Sequence, residues 1–109
     1  MNWDESDAGK AYAAQVASHR GWVVNPDQDI TAHVTQSLAQ IARLKGKPYC
    51  PCRDAEGQEA DHDIVCPCKY ATQDIQEYGQ CFCGLFLSPL KDPREVTSIP
   101  ERRPEPEDR

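Results

Sequence analysis

All six cysteines of this 109-residue chain fall in three pairs: Cys50-Pro51-Cys52, Cys66-Pro67-Cys68 and Cys81-Phe82-Cys83. Thiolates bind soft metals, attack disulfides and form two-electron redox couples. A cubane iron–sulfur cluster takes four of them. A redox disulfide takes two. Four and two together account for all six.

The spacing suits that chemistry. Proline fixes its own φ near −65° and disfavours a helical residue before it. In an extended segment the side chains at i and i+2 point the same way. Two sulfurs of one pair can then face one inorganic core, or one can ligate while the other sits beside it. Proline also removes a backbone donor, so the remaining amides near sulfur are the ones that tune potential. One Cys-x-Cys is a weak signal. Three within 34 residues, two of them holding proline, are a strong one.

Zinc is the competing metal. Structural zinc sites draw on knuckles of Cys-x₂₋₄-Cys spacing, and four ligands would leave two thiols unexplained. An exported disulfide scaffold is disfavoured, because no export signal or membrane-length apolar run is found. The expected compartment is therefore reducing and cytoplasmic, where clustered cysteines mean metal or catalysis. The net charge of −6 argues against nucleic acid, whose phosphates call for a basic face.

The elements that must position the thiols are few. A first helix is expected over residues 8–19, capped by Ser6 or Asp7, with Tyr12 and Val16 on one face and Gly21 after its end. Trp22-Val23-Val24 reads as a short apolar link, and Asn25-Pro26-Asp27 as a turn that starts a second helix. In that helix Ile30, Val34, Leu38, Ile41 and Leu44 form an apolar stripe, with Gly46 just past its end. A short helix fits residues 73–78, capped by Thr72 and closed by Gly79. Residues 80–87 suit an extended segment. The division is one catalytic domain over residues 1–91 and a Pro-rich, charged tail over 92–109, extended or mobile. The ordered part is small enough for a metal site to supply stability that its apolar core lacks.

Charge is uneven around the first pair. Arg43, Lys45, Lys47 and Arg53 form a run without acids, and Asp54, Glu56, Glu59, Asp61 and Asp63 follow. The basic run can steer an acidic protein to the cysteines, or simply complement the end of a helix.

The order Cys-Pro-Cys, Cys-Pro-Cys, Cys-x-Cys, followed by Gly84-Leu85-Phe86-Leu87, resembles the catalytic chain of ferredoxin:thioredoxin reductase. It is most similar to the ferredoxin-dependent disulfide reductases of that family in archaea and bacteria, over about residues 30–90. The resemblance implies a small, mainly α domain folded around one four-iron four-sulfur cluster. It implies cluster ligands Cys50, Cys66, Cys68 and Cys81, and a redox-active Cys52–Cys83 disulfide. The residues alone leave open which four of the six are ligands. By the resemblance Cys83 stands beside the cluster, and Cys52 is the outward thiol that attacks the target. Ferredoxin is the implied electron donor and thioredoxin, or a thioredoxin-like protein, the implied substrate.

The family's third pair usually encloses a histidine; here Phe82 stands there. His62, between the first two pairs, is a substitute or an ordinary loop residue, and His19 and His33 lie further off. Phe82 can instead cover the cluster from water. Arg53 and Lys69 are candidates to lower the pKa of Cys52, or plain solvated charges. The assembly expected is a monomer or homodimer, or a pair with a variable subunit. Two other functions fit the thiols: a simple iron–sulfur electron carrier, and a zinc-stabilised binding module.

Overall fold

The structure, a computed structural model, describes residues 2–5, 7–53, 59–92, 94, 95 and 98–104. Ser6, Asp54, Glu56, Gly57, Pro93 and Pro106, singled out in the sequence, lie outside them. The element order is α1 (Ala8–Arg20), β1 (Val23–Val24), α2 (Gln28–Lys45), a 3₁₀ helix (Glu59–Ile64), α3 (Ala71–Tyr78) and β2 (Phe86–Leu87). The domain is thus small and mainly helical.

α1 and α2 pack closely because one point of the crossing is almost bare. A Cβ on Gly9 would lie 2.1 Å from the Thr35 carbonyl oxygen. Ala13 and Ala17 continue the same thin, buried face. Asp7 is the N-cap residue of α1, although its side chain makes no capping bond. Asp27 caps α2 with its carboxylate, accepting from the Asp29 and Ile30 amides. Left-handed Gly21, Gly46 and Gly79 end the three helices, each donating its N–H to a carbonyl four residues back.

The apolar stripe of α2 is buried only at its middle. Val34 and Leu38 are core residues, Ile41 is half-buried, and Ile30 and Leu44 are 40% and 75% exposed. The buried face runs instead through Thr31, Val34, Thr35, Leu38, Ala39 and Ala42. Small and hydroxyl side chains let α1 approach there, and hydrophobicity does not report that. Thr31 and Thr35 satisfy their hydroxyls on backbone oxygens of Asn25 and Thr31. α3 starts two residues earlier than expected: Tyr70 is its N-cap and Thr72 lies inside it.

The Trp22-Val23-Val24 link is a strand. Val23 pairs with Leu87 and Val24 with Phe86, antiparallel. Of the segment expected to be extended, only Phe86 and Leu87 are strand; the third cysteine pair precedes them in a turn. No helix among the described residues is long and apolar enough to cross a membrane.

The segment after Asp92 has no helix or strand among its described residues. Among the described residues, three consecutive side chains of it reach back to distant parts of the domain. Glu101 pairs with Arg53, Arg102 with Asp74 and Glu77, and Arg103 with Asp61 and Asp63. At the other end, the ring of Trp3 lies 5.3 Å from that of Tyr12, and Arg43 donates to the Trp3 carbonyl.

Arg103 is buried with Asp61, and its other carboxylate partner, Asp63, is half-buried. Burial alone would raise the pKa of Asp63; hydrogen bonds from Arg103 and Tyr70 outweigh it and hold the carboxyl below its usual range. Such a group stabilises the fold above its unfolded pKa of about 3.9, and that contribution goes as pH falls through the lower folded value. Arg103→Gln should therefore cost about 3 kcal/mol at neutral pH by stranding the buried Asp61 carboxylate and the half-buried Asp63. The deficit should shrink as the pH is lowered past about 4. Urea unfolding of both proteins across that range checks this; a deficit that is absent at pH 7, or that grows in acid, contradicts it.

A candidate cysteine-lined redox centre

The first two cysteine pairs are aligned by backbone bonds across a short bridge. Tyr49 pairs with Val65 in an isolated antiparallel bridge. The Cys50 amide donates to the Ile64 carbonyl at 2.7 Å, and the Cys66 amide to the Pro48 carbonyl at 2.8 Å. The Cys66–Pro67 peptide bond is cis. Cys68 is fixed from its other side: its carbonyl accepts from Ala71 at the start of α3. The phenol of Tyr12 reaches across from α1 to donate to the Cys66 carbonyl.

The third pair is held by the small sheet and by one asparagine. The Cys81 amide donates to the Phe86 carbonyl at 3.0 Å, and the Phe86 amide lies 3.4 Å from Cys81 Sγ. Asn25, itself buried, donates from its side chain to the Gly84 carbonyl at 2.8 Å and from its amide to the Leu85 carbonyl. Gly84 takes φ +76°, a turn conformation that suits glycine. The turn before α2 thus anchors the loop that carries Cys81 and Cys83.

These restraints bring the pairs to one place. Cys50, Cys66, Cys68, Cys81 and Cys83 line a single apolar cavity, together with Arg53 and Phe82. Cys50, Cys66, Cys68 and Cys81 are buried members of the hydrophobic core, packed with Val34, Leu38, Ile64 and Phe86. Cys83 is half-buried and Cys52 is exposed. Cys50 Sγ and Cys83 Sγ are 2.8 Å apart. Cys52 also hydrogen-bonds both of those thiols.

The thiols divide electrostatically. Hydrogen bonds from Cys50 and Cys83, aided more weakly by the Arg53 charge, hold Cys52 down to about 4. Hydrogen bonds to Cys50 and Cys52, then burial, push Cys83 far up. Burial is the main cause raising Cys66, and it raises Cys81 to about 11. Neutral thiols are thus favoured at Cys66, Cys68, Cys81 and Cys83, whereas buried Cys50 and exposed Cys52 are both held below the usual thiol range.

As arranged, no group of three potential ligands among the described residues surrounds a single ion position. The donor set nevertheless fits an iron–sulfur group. It offers soft sulfur donors only, in excess of four, in an apolar cavity, with the Phe86 amide already directed at one sulfur. Histidine takes no visible part: His62 is exposed on the 3₁₀ helix, and it is Phe82 that lines the cavity.

The position of Arg53 corrects the reading of the basic run. Its side chain is only 1% exposed and pairs with Glu101, so it is neither a solvated charge nor part of a docking patch. Burial opposes its charge, but the Glu101 carboxylate and the neighbouring sulfurs hold it protonated. Arg43, Lys45 and Lys47 are exposed at the end of α2, and Lys69 is exposed before α3. Sequence reasoning also missed Tyr12, Asn25 and Glu101. Their partners lie 48 to 59 residues away, so no local pattern marks them.

Similarity to known proteins runs through nearly the whole described chain. Residues 3–101 match the family described as ferredoxin thioredoxin reductase catalytic beta chain. The ferredoxin-thioredoxin reductase catalytic chain of Synechocystis is 35% identical over 88 residues, 78% of this chain and 71% of that one. The Porphyra purpurea catalytic chain is 32% identical over 89 residues, covering 79% and 72%. A chloroplastic catalytic chain of spinach is 36% identical over 69 residues, covering 61% and 45%.

The exposure order makes a direct prediction. After mild reduction of the protein as isolated, an alkylating reagent should modify Cys52 first, with Cys66 and Cys81 last. Mass spectrometry of the labelled peptides reads the order. Early labelling of Cys66 or Cys81 would contradict the burial described.

Proposed function

The chain belongs to the ferredoxin:thioredoxin reductase catalytic-chain family, and on that premise we propose that it reduces a protein disulfide with electrons from ferredoxin. The observation that carries the reading is one cavity lined by five cysteines with the sixth exposed at its mouth. The target is thioredoxin or a thioredoxin-like protein, and six cysteines clustered for metal and redox chemistry suit a reducing cytoplasm.

Cys50, Cys66, Cys68 and Cys81 would hold a four-iron four-sulfur cluster. All four are buried, and they come from all three pairs. When bound, such a cluster supplies single electrons next to a couple that needs two. Cys52 and Cys83 are the redox pair of this reading. Their difference in exposure supports separate roles.

In the reduced pair, the Cys52 thiolate attacks the target disulfide. A Cys52–target disulfide forms and one target thiolate leaves. Cys83 then gives its proton to the first target thiolate, attacks the Cys52 sulfur, restores the Cys52–Cys83 disulfide and expels the second target thiolate. The target gains two electrons and, once its thiolates are protonated, two protons. Two electrons from the donor reset the pair. Depressing Cys52 keeps it a thiolate at neutral pH, and the exposed position gives it access. Cys83, held up and half-buried, is protected from competing disulfides until the mixed disulfide brings a sulfur to it.

One contact favours a second assignment. Cys50 Sγ lies 2.8 Å from Cys83 Sγ. Cys50 would then be the redox partner and Cys52 a ligand. Burial of Cys50 against the Ile64 carbonyl weighs against this, because its sulfur could not reach a protein disulfide.

Serine substitutions decide between the two. Cys50→Ser, Cys66→Ser, Cys68→Ser and Cys81→Ser should each lose or cripple iron binding and lower thermal stability. Cys52→Ser should keep its iron, lose disulfide reduction and trap nothing. Cys83→Ser should accumulate a mixed disulfide with thioredoxin through Cys52. Full iron in Cys50→Ser together with iron loss in Cys52→Ser would establish the second assignment. If the Cys52 and Cys83 variants both still reduce thioredoxin, the protein is an electron carrier and not a disulfide reductase.

The exposed Arg43, Lys45 and Lys47 suit docking of an acidic partner beside the first pair. Reversing two of these charges should slow turnover several-fold at low salt, with the difference fading as salt screens it. Rates indifferent to both salt and reversal would reduce the run to a helix end.

A further inference from the structure

Arg53 is the one buried cation that touches the cysteine cavity among the described residues, and its weak pull on Cys52 does not account for its contacts with the inner sulfurs. It follows Cys52 directly in the chain, yet it turns inward while Cys52 faces out. Its guanidinium is held on every side. Nε and Nη2 donate to the Glu101 carboxylate at 2.7 to 3.0 Å. The planar group lies 4.5 Å from the Phe82 ring centroid and 5.2 Å from that of Tyr70. The remaining edge is directed at sulfur: Nη1 is 3.1 Å from Cys68 Sγ and 4.0 Å from Cys50 Sγ.

This arrangement is specific to the shape of arginine. Its donors form a rigid fork, so one edge can serve a carboxylate side-on while the opposite corner serves a sulfur. A lysine is a single point charge and cannot span both. A donor on a thiolate ligand withdraws electron density from it, and a buried positive charge acts through a low dielectric. Both effects favour the more reduced, more negative state of whatever the sulfur ligates.

We propose that Arg53 is a positioning residue that acts through Cys68 to raise the electron affinity of the cysteine-held cluster. The tail thereby takes part in the redox centre, since Glu101 fixes the fork in its orientation. The proposal rests on Cys68 being a cluster ligand.

The test is the midpoint potential of the full-length, iron-loaded protein, followed by electron paramagnetic resonance during a redox titration. Arg53→Gln should weaken electron uptake tenfold or more, which is a shift of about 59 mV or more to negative potential for one electron. Arg53→Lys should also fall below wild type, because its ammonium pairs with Glu101 and leaves the sulfur. Arg103→Gln removes an equally buried tail contact that touches no cysteine. It should lower the melting temperature and leave the potential unchanged. A wild-type potential in Arg53→Gln overturns the proposal. If Arg53→Gln does not load with iron, Arg53→Lys decides, and a wild-type potential there overturns it equally. A shift in Arg103→Gln as large as that in Arg53→Gln overturns it too, by making the effect one of general loosening. Iron and sulfide analysis of the unmutated protein separates this from a failure of the reductase reading: a protein without iron refutes the cluster itself, whereas a loaded protein with unmoved potentials refutes only the role of Arg53.

Discussion

The structure depends on burying sulfur in a core too small to be made of hydrocarbon alone. Four cysteines share the interior with Leu38, Ile64, Leu85 and Phe86. A free thiol packs as a small apolar group, so burial is cheap while it stays protonated. The same burial makes the thiolate costly, which is why Cys66 and Cys81 are pushed up. The core is therefore sound only if its sulfurs are neutral or compensated by a positive centre. A bound metal group supplies that compensation and couples binding to folding. Arg53 supplies part of it from the protein itself.

Around this core the charged residues do structural work that the acidic composition conceals. Arg53, Arg102 and Arg103 each meet carboxylates contributed from distant sequence, and Glu101 and the two arginines beside it act as three adjacent anchors of one segment. Burying such pairs gains little by itself, because desolvation offsets attraction. Their value is geometric. Paired charges cannot slide past one another without a penalty, so the segment is registered against the 3₁₀ helix, α3 and the first cysteine pair at once. Asp74 shows the cost: it is wholly buried, and one of its carboxylate oxygens has no hydrogen-bond partner among the described residues.

The sequence made the helices legible where local rules act. Gly21, Gly46 and Gly79 stop the helices as their positions suggest, and Asp27 caps α2 through its side chain. The cysteine pairs announced a shared site because all six thiols stand in one short window. Hydrophobic periodicity misjudged the ends of α2, where Ile30 and Leu44 face outward because the close approach of α1 is made by glycine, alanine and threonine. The 3₁₀ helix carries no apolar repeat to reveal it, and Asp61 and Asp63, which read as part of an acidic run, are covered by Arg103 from 40 or more residues away. Contacts of that span depend on the folded path of the chain and leave no local trace.

Cys52 and Arg53 show why adjacency is a poor guide to role. They are neighbours on one turn, and both were open to a reading as surface chemistry. A turn reverses direction, so consecutive side chains diverge, and here one is exposed while the other is almost fully enclosed. The divergence has a chemical consequence. An attacking thiolate needs access and a cation near enough to stabilise it, but a cation in the solvent beside it would be screened and mobile. On the proposed reading of Cys52 as the attacking thiolate, turning the arginine inward places a permanent charge behind it, in contact with inner sulfur, and leaves the outer face clear for a partner. Because arginine does not lose its proton in the working pH range, that field does not vary with pH as a histidine's would. In a centre whose third pair encloses Phe82, electrostatic support thus comes from a fixed guanidinium that the tail holds in place.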